Sequence, residues 1–236
     1  MLPHIEIGSL KISTYYSAMV LGYVLMVILM LRKSRREKYN LSWLKGVGFA
    51  TAGVIVGILG CKILFVLENM ALVQRKGFTF GGFSFYGAVF LSPLLMPLAG
   101  KLLKLNFRDS LANSAICIIA MLGTIRLGCY LNGCCGGPIV EIKGFYFSFP
   151  AQLIECIVDF LILFYLLNCE KKAIDTGFIY PRFLLLYGGA RFLIEFIRVS
   201  PKEWLYLSHA QWFSIVAVIA GTVAEVWLRK NQAVKD

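Results

Sequence analysis

Ionisable side chains recur at helical spacing within otherwise apolar stretches of this sequence. Steps of four, four and three residues separate Tyr187, Arg191, Glu195 and Arg198. Side chains three or four positions apart share one face of an α-helix, so the spacing predicts a polar stripe. A guanidinium group binds phosphate or carboxylate oxygens through parallel hydrogen bonds. The stripe therefore favours recognition of an anion, while a structural ion pair between Arg191 and Glu195 remains an alternative.

A second stripe and a separate arginine add to this set. Gln152, Glu155 and Asp159 are spaced by three and four residues, so they also share a helix face. Arg126 stands inside an apolar run, where a charge without a partner costs about 2.5 to 3.5 kcal/mol on insertion scales. We expect Arg126 to face a carboxylate or an anionic ligand. The acidic residues are either partners of the arginines or acid–base groups, and the sequence leaves both open.

Three closely spaced cysteines, Cys129, Cys134 and Cys135, raise the hypothesis of a metal site or a nucleophile. A structural zinc site usually needs four ligands arranged in two paired halves, and the sequence offers no second half. We therefore expect no metal and interpret the cysteines as small packed thiols. A redox or nucleophilic role for them stays open.

The amino-acid composition indicates which class of protein contains these residues. Of 236 residues, 58% are hydrophobic and 16% are charged, and the mean hydropathy is +0.73. Soluble domains are about 45 to 50% apolar and about 25% charged. This excludes a soluble enzyme, a nucleic-acid-binding module and a disordered chain. The sequence predicts an all-α integral membrane protein that forms one polytopic domain over residues 1–236.

Seven apolar runs are long enough to be considered as transmembrane helices, which need about 20 residues each. They cover residues 12–31, 44–67, 83–103, 111–131, 151–167, 176–197 and 210–228. With the N-terminus outside, fourteen Lys and Arg lie in or beside inner segments and six in outer segments. Cytoplasmic loops carry the excess of basic residues, so an outside N-terminus and a cytoplasmic C-terminus are predicted. This orientation accounts for the net charge of +11 without any nucleic acid.

Two glycine-rich outer segments, residues 76–88 and 123–138, differ from the apolar runs around them. Glycine weakens helices, and non-helical backbone at membrane depth is tolerated only where protein or water satisfies its polar groups. We expect both segments to be non-helical and to line an outward-facing cavity.

The segment from Gly123 to Pro138, with Arg126, Asn132 and Gly133, resembles a known signature. That signature is Gly-Arg-x-Gly-Asn-Phe-x-Asn-Gly-Glu of the bacterial prolipoprotein diacylglyceryl transferases. Similarity extends to residues 12–16, 81–87, 150–155, 187–198 and 208–214. The resemblance therefore covers most of the chain rather than one motif.

The resemblance implies an enzyme that transfers the diacylglyceryl group of phosphatidylglycerol to the lipobox cysteine of a lipoprotein precursor. A thioether forms, glycerol phosphate is released, and no cofactor is needed. The expected location is the bacterial cytoplasmic (inner) membrane, crossed several times, with membrane lipid but no nucleic acid as a further partner. Arg126, Arg191, Tyr86 and Tyr187 are the expected catalytic residues. The expected substrate-binding residues are Tyr16, Asn132, Gly133, Gly137, Gln152, Glu155 and Glu195.

The sequence also departs from the family pattern. Tyr86 stands where the family carries a histidine, Cys129 replaces an asparagine and Cys134 replaces the glutamate of the signature. A tyrosine with an ordinary pKa near ~10 is a poor general base at neutral pH. Two alternatives therefore stay open: a related membrane transferase with another acceptor or lipid donor, and a non-catalytic membrane protein that binds lipid or peptide.

Overall fold

A computed structural model describes residues 4–7, 10–76, 82–142, 144–172, 175–201 and 205–233. This part of the chain forms nine α-helices and two β-hairpins. In chain order they are β1 (His4–Ile7), β2 (Leu10–Ser13), α1 (Thr14–Leu31), α2 (Lys33–Tyr39), α3 (Trp43–Glu68), α4 (Met70–Lys76), α5 (Tyr86–Leu102), α6 (Phe107–Asn132), β3 (Ile139–Ile142), β4 (Phe145–Ser148), α7 (Ala151–Lys171), α8 (Ile179–Ile194) and α9 (His209–Ala233). Single turns of 3₁₀-helix, Thr176–Phe178 and Glu195–Ile197, flank α8.

Each of the seven predicted spans falls on one helix. Among the described residues, α1, α3, α6, α7 and α9 are long and apolar enough to cross a membrane. Helix α5 has 17 residues and α8 has 16, so both are shorter than a usual span. Large apolar side chains on the long helices are exposed, for example Leu21 on α1, Ile58 on α3 and Trp227 on α9. Such surfaces are stable in lipid and not in water, so the chain is a multi-pass membrane protein.

The two hairpins are additions to the expected all-α architecture. Strand β1 pairs with β2 and β3 pairs with β4, both antiparallel, and each strand has four residues. In the second hairpin Ile142 is paired with Phe145, and Gly144 has a φ of 81°, which suits a tight turn. The sequence did not predict these strands, because an alternation of apolar and polar residues over only four positions does not stand out in a mostly apolar sequence.

The chain divides into two compact units, residues 1–25 with 119–236, and residues 26–118. In the second unit α3 packs along α5. A Cβ added to Gly60 would overlap the carbonyl group of Gly87, and a Cβ on Gly87 would overlap that of Gly60. Only glycine at both positions lets the two backbones approach this closely.

In the first unit α8 packs against α7 and α9. A Cβ on Gly188 would lie 3.0 Å from the carbonyl oxygen of Ser214, and one on Gly221 would lie 2.8 Å from that of Pro181. Close packing of α8 against both neighbours brings its polar stripe next to the carboxylates of α7.

The expectation that residues 123–138 are non-helical is wrong for the first ten of them. Helix α6 continues to Asn132. Its glycines serve close packing: a Cβ on Gly123 would lie 3.1 Å from the Phe160 ring, and one on Gly128 would overlap the Cβ of Ala18. A small residue inside a helix is compatible with helix formation where a neighbour must come close. Only residues 133–138 form an irregular loop.

The other glycine-rich segment, residues 76–88, is only partly irregular. Lys76 ends α4, residues 86–88 begin α5, and residues 77–81 lie outside the described part. Residues 82–85 are held on α3, where Ser84 N–H donates to the Cys61 carbonyl at 3.1 Å and Lys62 Nζ donates to the Gly82 carbonyl at 3.4 Å. Lys62 is thus tied to this segment.

Candidate active site

Three arginine side chains of the first unit converge on one carboxylate, that of Glu155 on α7. Arg126 of α6 places Nε 3.2 Å from Glu155 Oε2, and Arg191 of α8 places Nη1 3.1 Å from Oε1. Arg198, just beyond α8, donates from Nη1 to Oε2 at 2.7 Å. The partner predicted for Arg126 is therefore a carboxylate of the α7 stripe, and three elements meet at this cluster.

A second carboxylate, that of Glu195, binds two of the same arginines. Arg191 Nη2 lies 2.7 Å from Glu195 Oε2, and Arg198 Nε lies 3.7 Å from the same oxygen. The polar stripe predicted along α8 is present, because these residues are three and four positions apart. Glu155, Glu195, Arg126, Arg191 and Arg198 together form what we call the arginine cluster.

The start of α9 fixes the orientation of Glu195. Ser208 Oγ donates to Glu195 Oε1 at 2.9 Å. Ser208 also accepts from the Gln211 N–H at 3.3 Å, and its own N–H donates to Gln211 Oε1 at 3.0 Å. This reciprocal pattern is a capping box, which satisfies backbone donors at a helix N-terminus. The residues that begin α9 therefore also position one side of the arginine cluster.

The arginine cluster is buried, and a third acidic side chain lies beside it. The side chains of Arg126, Arg191 and Arg198 are 12%, 9% and 11% exposed, and that of Glu155 is 3% exposed. Three guanidinium groups face two glutamates. Asp159, one helical turn after Glu155 and also buried, adds an electrostatic contact to Arg126 and Arg191.

Several N–H groups of the cluster lie close to oxygen without forming an aligned hydrogen bond. Arg126 Nε and Arg191 Nη1 lie 3.2 and 3.1 Å from Glu155 oxygens, and Arg198 Nε lies 3.7 Å from a Glu195 oxygen, but none of these three contacts has the alignment of a hydrogen bond. Guanidinium groups bind carboxylate and phosphate oxygens alike through paired hydrogen bonds. A group of three arginines from separate segments is therefore suited to a phosphate group.

Tyr187 lies on the same face of α8, one turn before Arg191. It is 2% exposed, its ring stacks on Phe183 with centroids 5.7 Å apart, and it has an electrostatic contact with Arg126. The structure therefore brings the expected residues Arg126, Arg191, Tyr187, Glu155 and Glu195 to one site.

The end of α6 and the loop after it hold three more expected residues. Gly133 has a φ of 77°, its N–H donates to the Tyr130 carbonyl, and the Cys134 N–H donates to the Cys129 carbonyl at 3.1 Å. This pair of bonds is a Schellman motif, in which glycine takes the left-handed conformation that ends a helix. Asn132 is the last helical residue, so the signature Asn-Gly pair here forms the helix stop.

Gly137 and Gln152 fasten this loop to the rest of the first unit. The Gly137 N–H donates to the Phe149 carbonyl at 2.8 Å, and a Cβ on Gly137 would lie 2.7 Å from the Ile197 oxygen. Gln152 is buried, and its Nε2 donates to the Cys134 carbonyl at 2.7 Å. Both residues have a positioning role in this structure; their contact with substrate stays a prediction.

The three cysteines are brought together by the same helix stop. The sulfur atoms of Cys129, Cys134 and Cys135 all lie within 4.8 Å of one another. Hydrogen bonding with the Cys129 thiol, together with the positive charge of Arg198, lowers the pKa of Cys135 below its usual range. The sequence groups these cysteines by position, but the close approach of their sulfur atoms occurs at a turn with two left-handed residues, Gly133 and Cys135, with φ of 77° and 63°.

Tyr86 and Tyr16 are the two remaining expected residues, and the structure describes their local surroundings. Tyr86 belongs to the second unit, where it is 3% exposed at the start of α5 and stacks on Phe90 with centroids 5.7 Å apart. Tyr16 on α1 is 68% exposed, and its ring contacts Tyr15 edge to face. The catalytic role of Tyr86 and the substrate role of Tyr16 stay predictions.

Sequence reasoning missed two residues of the site, Ser208 and Gln211. Arg198 belongs to the predicted stripe, seven residues after Arg191, but is not among the residues expected to be catalytic or to bind substrate. Ser208 and Gln211 had been noted only as part of the family resemblance. The signal for both was present, because Ser-x-x-Gln before an apolar run is a capping-box pattern.

Comparisons with known proteins agree with this arrangement. The sequence profile of prolipoprotein diacylglyceryl transferase matches residues 3–227. Phosphatidylglycerol–prolipoprotein diacylglyceryl transferase of Clostridium tetani is 29% identical, over 92% of this chain and 93% of its own length. Phosphatidylglycerol–prolipoprotein diacylglyceryl transferase 2 of Clostridium perfringens is 31% identical, over 92% and 91%.

The similarity is not confined to clostridia. The phosphatidylglycerol–prolipoprotein diacylglyceryl transferase of Salmonella arizonae is 26% identical, over 96% of this chain and 92% of its own length. The match extends over nearly the whole chain, including every segment that contributes to the arginine cluster. The chain therefore belongs to the prolipoprotein diacylglyceryl transferase family.

Proposed function

We propose that this protein transfers the diacylglyceryl group of phosphatidylglycerol to the lipobox cysteine thiol of a lipoprotein precursor. The observation that carries the proposal is the convergence of three buried guanidinium groups, those of Arg126, Arg191 and Arg198, on one site in an apolar protein. The phosphodiester of phosphatidylglycerol is an anion that such a group of arginines can bind through paired hydrogen bonds. The names of the relatives point to the same reaction.

The reaction explains why cations are needed. The thiol sulfur attacks the glyceryl carbon that is bonded to a phosphate oxygen; a C–S bond forms and the C–O bond breaks. The bonding electrons leave with glycerol phosphate, and the thiol proton is released to the leaving phosphate or to solvent. Negative charge on the phosphate grows along this path, so guanidinium groups stabilise the transition state more than the bound lipid.

The two glutamates have a supporting role in this proposal. Glu155 and Glu195 hold the three guanidinium groups in place before a lipid arrives. Preorganised charge stabilises a transition state without the cost of reorganisation at the moment of reaction. The same positive field favours the thiolate form of the attacking cysteine.

The proposal includes a location and an orientation. We place the protein in the bacterial cytoplasmic membrane with its N-terminus outside and seven membrane-crossing helices. The distribution of Lys and Arg supports this orientation. The shorter helices α5 and α8 would cross as part of a bundle, since a bilayer adapts to a short helix at modest cost.

Purified protein with phosphatidylglycerol vesicles and a synthetic lipobox peptide provides the direct test. Mass spectrometry should show the peptide thiol carrying a diacylglyceryl group, and glycerol phosphate should appear in equal amount. Both products are needed, because release of glycerol phosphate alone would also follow from lipid hydrolysis. A well-folded protein that yields neither product overturns the proposal.

Arg126→Ala should abolish transfer, and Arg229→Ala serves as its control. Arg229 lies on α9 with a side chain that is 67% exposed, and it pairs with Glu225 at 2.6 Å. Loss of this ion pair should leave transfer unchanged. Equal loss of activity in both variants would contradict a role for Arg126 in binding phosphate.

A further inference from the structure

The three thiols of Cys129, Cys134 and Cys135, which we call the cysteine trio, form a compact group that the proposed transfer reaction does not use. Cys129 is buried on α6, Cys134 is half-buried, and Cys135 is exposed. All three are free thiols, and their sulfur atoms lie within 4.8 Å of one another. The group therefore runs from a buried thiol to an exposed one.

Three hydrogen bonds hold Cys134, the middle residue of the trio, in place. The Cys134 N–H is bound to the Cys129 carbonyl at 3.1 Å, and the Cys134 carbonyl accepts from Gln152 Nε2 at 2.7 Å. The Cys134 thiol itself approaches the Cys129 carbonyl at 3.7 Å. Cys135 takes the left-handed conformation with a φ of 63°, which is uncommon for a residue with a side chain. The loop thus holds two neighbouring cysteines against the helix end.

The spacing of the sulfur atoms suits a thiophilic metal ion. Zinc–sulfur bonds of about 2.3 Å in tetrahedral geometry place sulfur atoms about 3.8 Å apart. The observed limit of 4.8 Å is within about 1 Å of that separation, a change that side-chain rotation provides. Three protein ligands with one position open to water is also an established zinc arrangement.

The charges around the trio suit the same ligand. Three thiolates and one divalent ion carry a net charge of −1. Arg126 lies three residues before Cys129 on α6 and interacts electrostatically with it, and Arg198 and Arg126 both interact with Cys135. An anionic metal–thiolate group is therefore placed beside guanidinium groups rather than beside carboxylates.

In place of the packed thiols expected from the linear sequence, we propose that Cys129, Cys134 and Cys135 form a three-thiolate site that binds one thiophilic divalent ion, such as Zn²⁺ or Cd²⁺, next to the arginine cluster. Binding replaces three S–H bonds by three metal–sulfur bonds and releases three protons, and neither the metal nor sulfur changes oxidation state. Water or a solute fills the fourth position. Metal binding does not depend on the transfer reaction, so the two proposals can fail separately.

Titration of the purified protein with Cd²⁺ tests the site. The protein is kept in metal-free detergent buffer with a phosphine reductant, and the ultraviolet charge-transfer band of cadmium–thiolate bonds is recorded. We expect the band to saturate at one Cd²⁺ per chain. An excess of Zn²⁺ should displace the bound Cd²⁺ and abolish the band. Absence of the band in reduced, folded protein overturns the proposal, and packed thiols are then the correct interpretation.

Single substitutions locate the ligands. Cys134→Ser and Cys135→Ser should each weaken Cd²⁺ binding by more than about tenfold. Cys61→Ser is the control: Cys61 is buried on α3, where its thiol contacts the Phe85 carbonyl at 4.0 Å. Because Cys135 is exposed, its variant should fold even if Cys129→Ser does not. Unchanged affinity in Cys134→Ser and Cys135→Ser, or equal weakening in Cys61→Ser, overturns the assignment.

Discussion

At the scale of single residues, the main feature is that three buried guanidinium groups share two glutamate partners. Glu155 contacts Arg126, Arg191 and Arg198, so one carboxylate organises three cations. In a membrane interior such charges are stable only in mutual contact or with an anionic ligand. The arrangement explains how three arginines are held together in an apolar surrounding.

Arg191→Lys tests whether paired donors matter or only positive charge. Lysine keeps the charge but presents a single ammonium group, so it cannot bridge Glu155 and Glu195 as Arg191 does at 3.1 and 2.7 Å. We expect kcat of transfer to fall by about 100-fold or more, as for loss of one transition-state donor. Wild-type kcat in this variant would show that charge alone suffices.

Glu155→Gln should remove one of the negative charges that neutralise the three arginines of the cluster. Removing one partner of a buried ion pair costs about 3 to 5 kcal/mol. We expect a lower unfolding temperature, and a larger rise of that temperature on addition of inorganic phosphate than in the wild type, since the anion replaces the lost charge.

Glu225→Gln is the matched control for this measurement. Glu225 also contacts two arginines, Arg229 at 2.6 Å and Arg182 at 3.8 Å, but on α9 and away from the arginine cluster. Its phosphate response should equal that of the wild type. The same response in both glutamate variants would mean that phosphate does not act at the arginine cluster.

At the scale of secondary-structure elements, helix ends build the site. Helix α6 stops in the Schellman motif at Gly133, which turns Cys134 and Cys135 back toward Cys129. Helix α9 begins in a capping box whose serine also binds Glu195. Local signals for ending or starting a helix therefore also place functional groups.

Ser208→Ala should combine a stability effect with an activity effect. Loss of a serine N-cap costs about 1 kcal/mol, and here it also removes the hydrogen bond to Glu195 Oε1. We expect lower transfer activity because Glu195 no longer holds Arg191 and Arg198 firmly. Ser42→Ala removes the N-cap of α3, where Ser42 accepts from the Lys45 N–H at 3.4 Å. It should cost similar stability with no loss of activity; parallel activity losses in the two variants would contradict the link to Glu195.

Gly60→Ala should destabilise the packing of α3 on α5. Its Cβ would overlap the Gly87 carbonyl, and overpacking of this kind costs about 1 to 3 kcal/mol. Gly48→Ala on the same helix has no neighbouring atom within 4 Å, so it should be neutral or slightly stabilising. Thermal unfolding in detergent measures both, and equal unfolding temperatures would show that the close approach is not required.

At the scale of the whole molecule, the lipid surroundings explain both the apolar exposed surface and the buried ionic site. In lipid, helices gain little from burying apolar side chains, so close backbone packing and polar contacts hold them together. Glycines at α3–α5 and α8–α9 contacts and the ion pairs of the first unit fit this rule.

Reporter fusions test the proposed orientation. Alkaline phosphatase, which is active only outside the cytoplasm, should be active when inserted after Gly144 in the hairpin turn and inactive when fused after Lys172. The distribution of basic residues predicts this difference. Activity only at Lys172 would reverse the orientation.

The sequence by itself determined the helical membrane class, the placement of seven apolar segments on helices and the polar stripes of α7 and α8. These depend on composition and on spacing along one helix, which are local properties. The sequence also identified Arg126 and Arg191, because charges inside apolar runs require an explanation.

Only the tertiary structure decided which groups meet. Glu155 contacts Arg198 across 43 positions of sequence, and glycines of α6 support close packing instead of ending the helix. The pairing of β3 with β4 and the grouping of Cys129 with Cys134 and Cys135 likewise involve turns with left-handed residues. Spacing fixes the face on which a side chain lies, but the packing of separate elements fixes its partner.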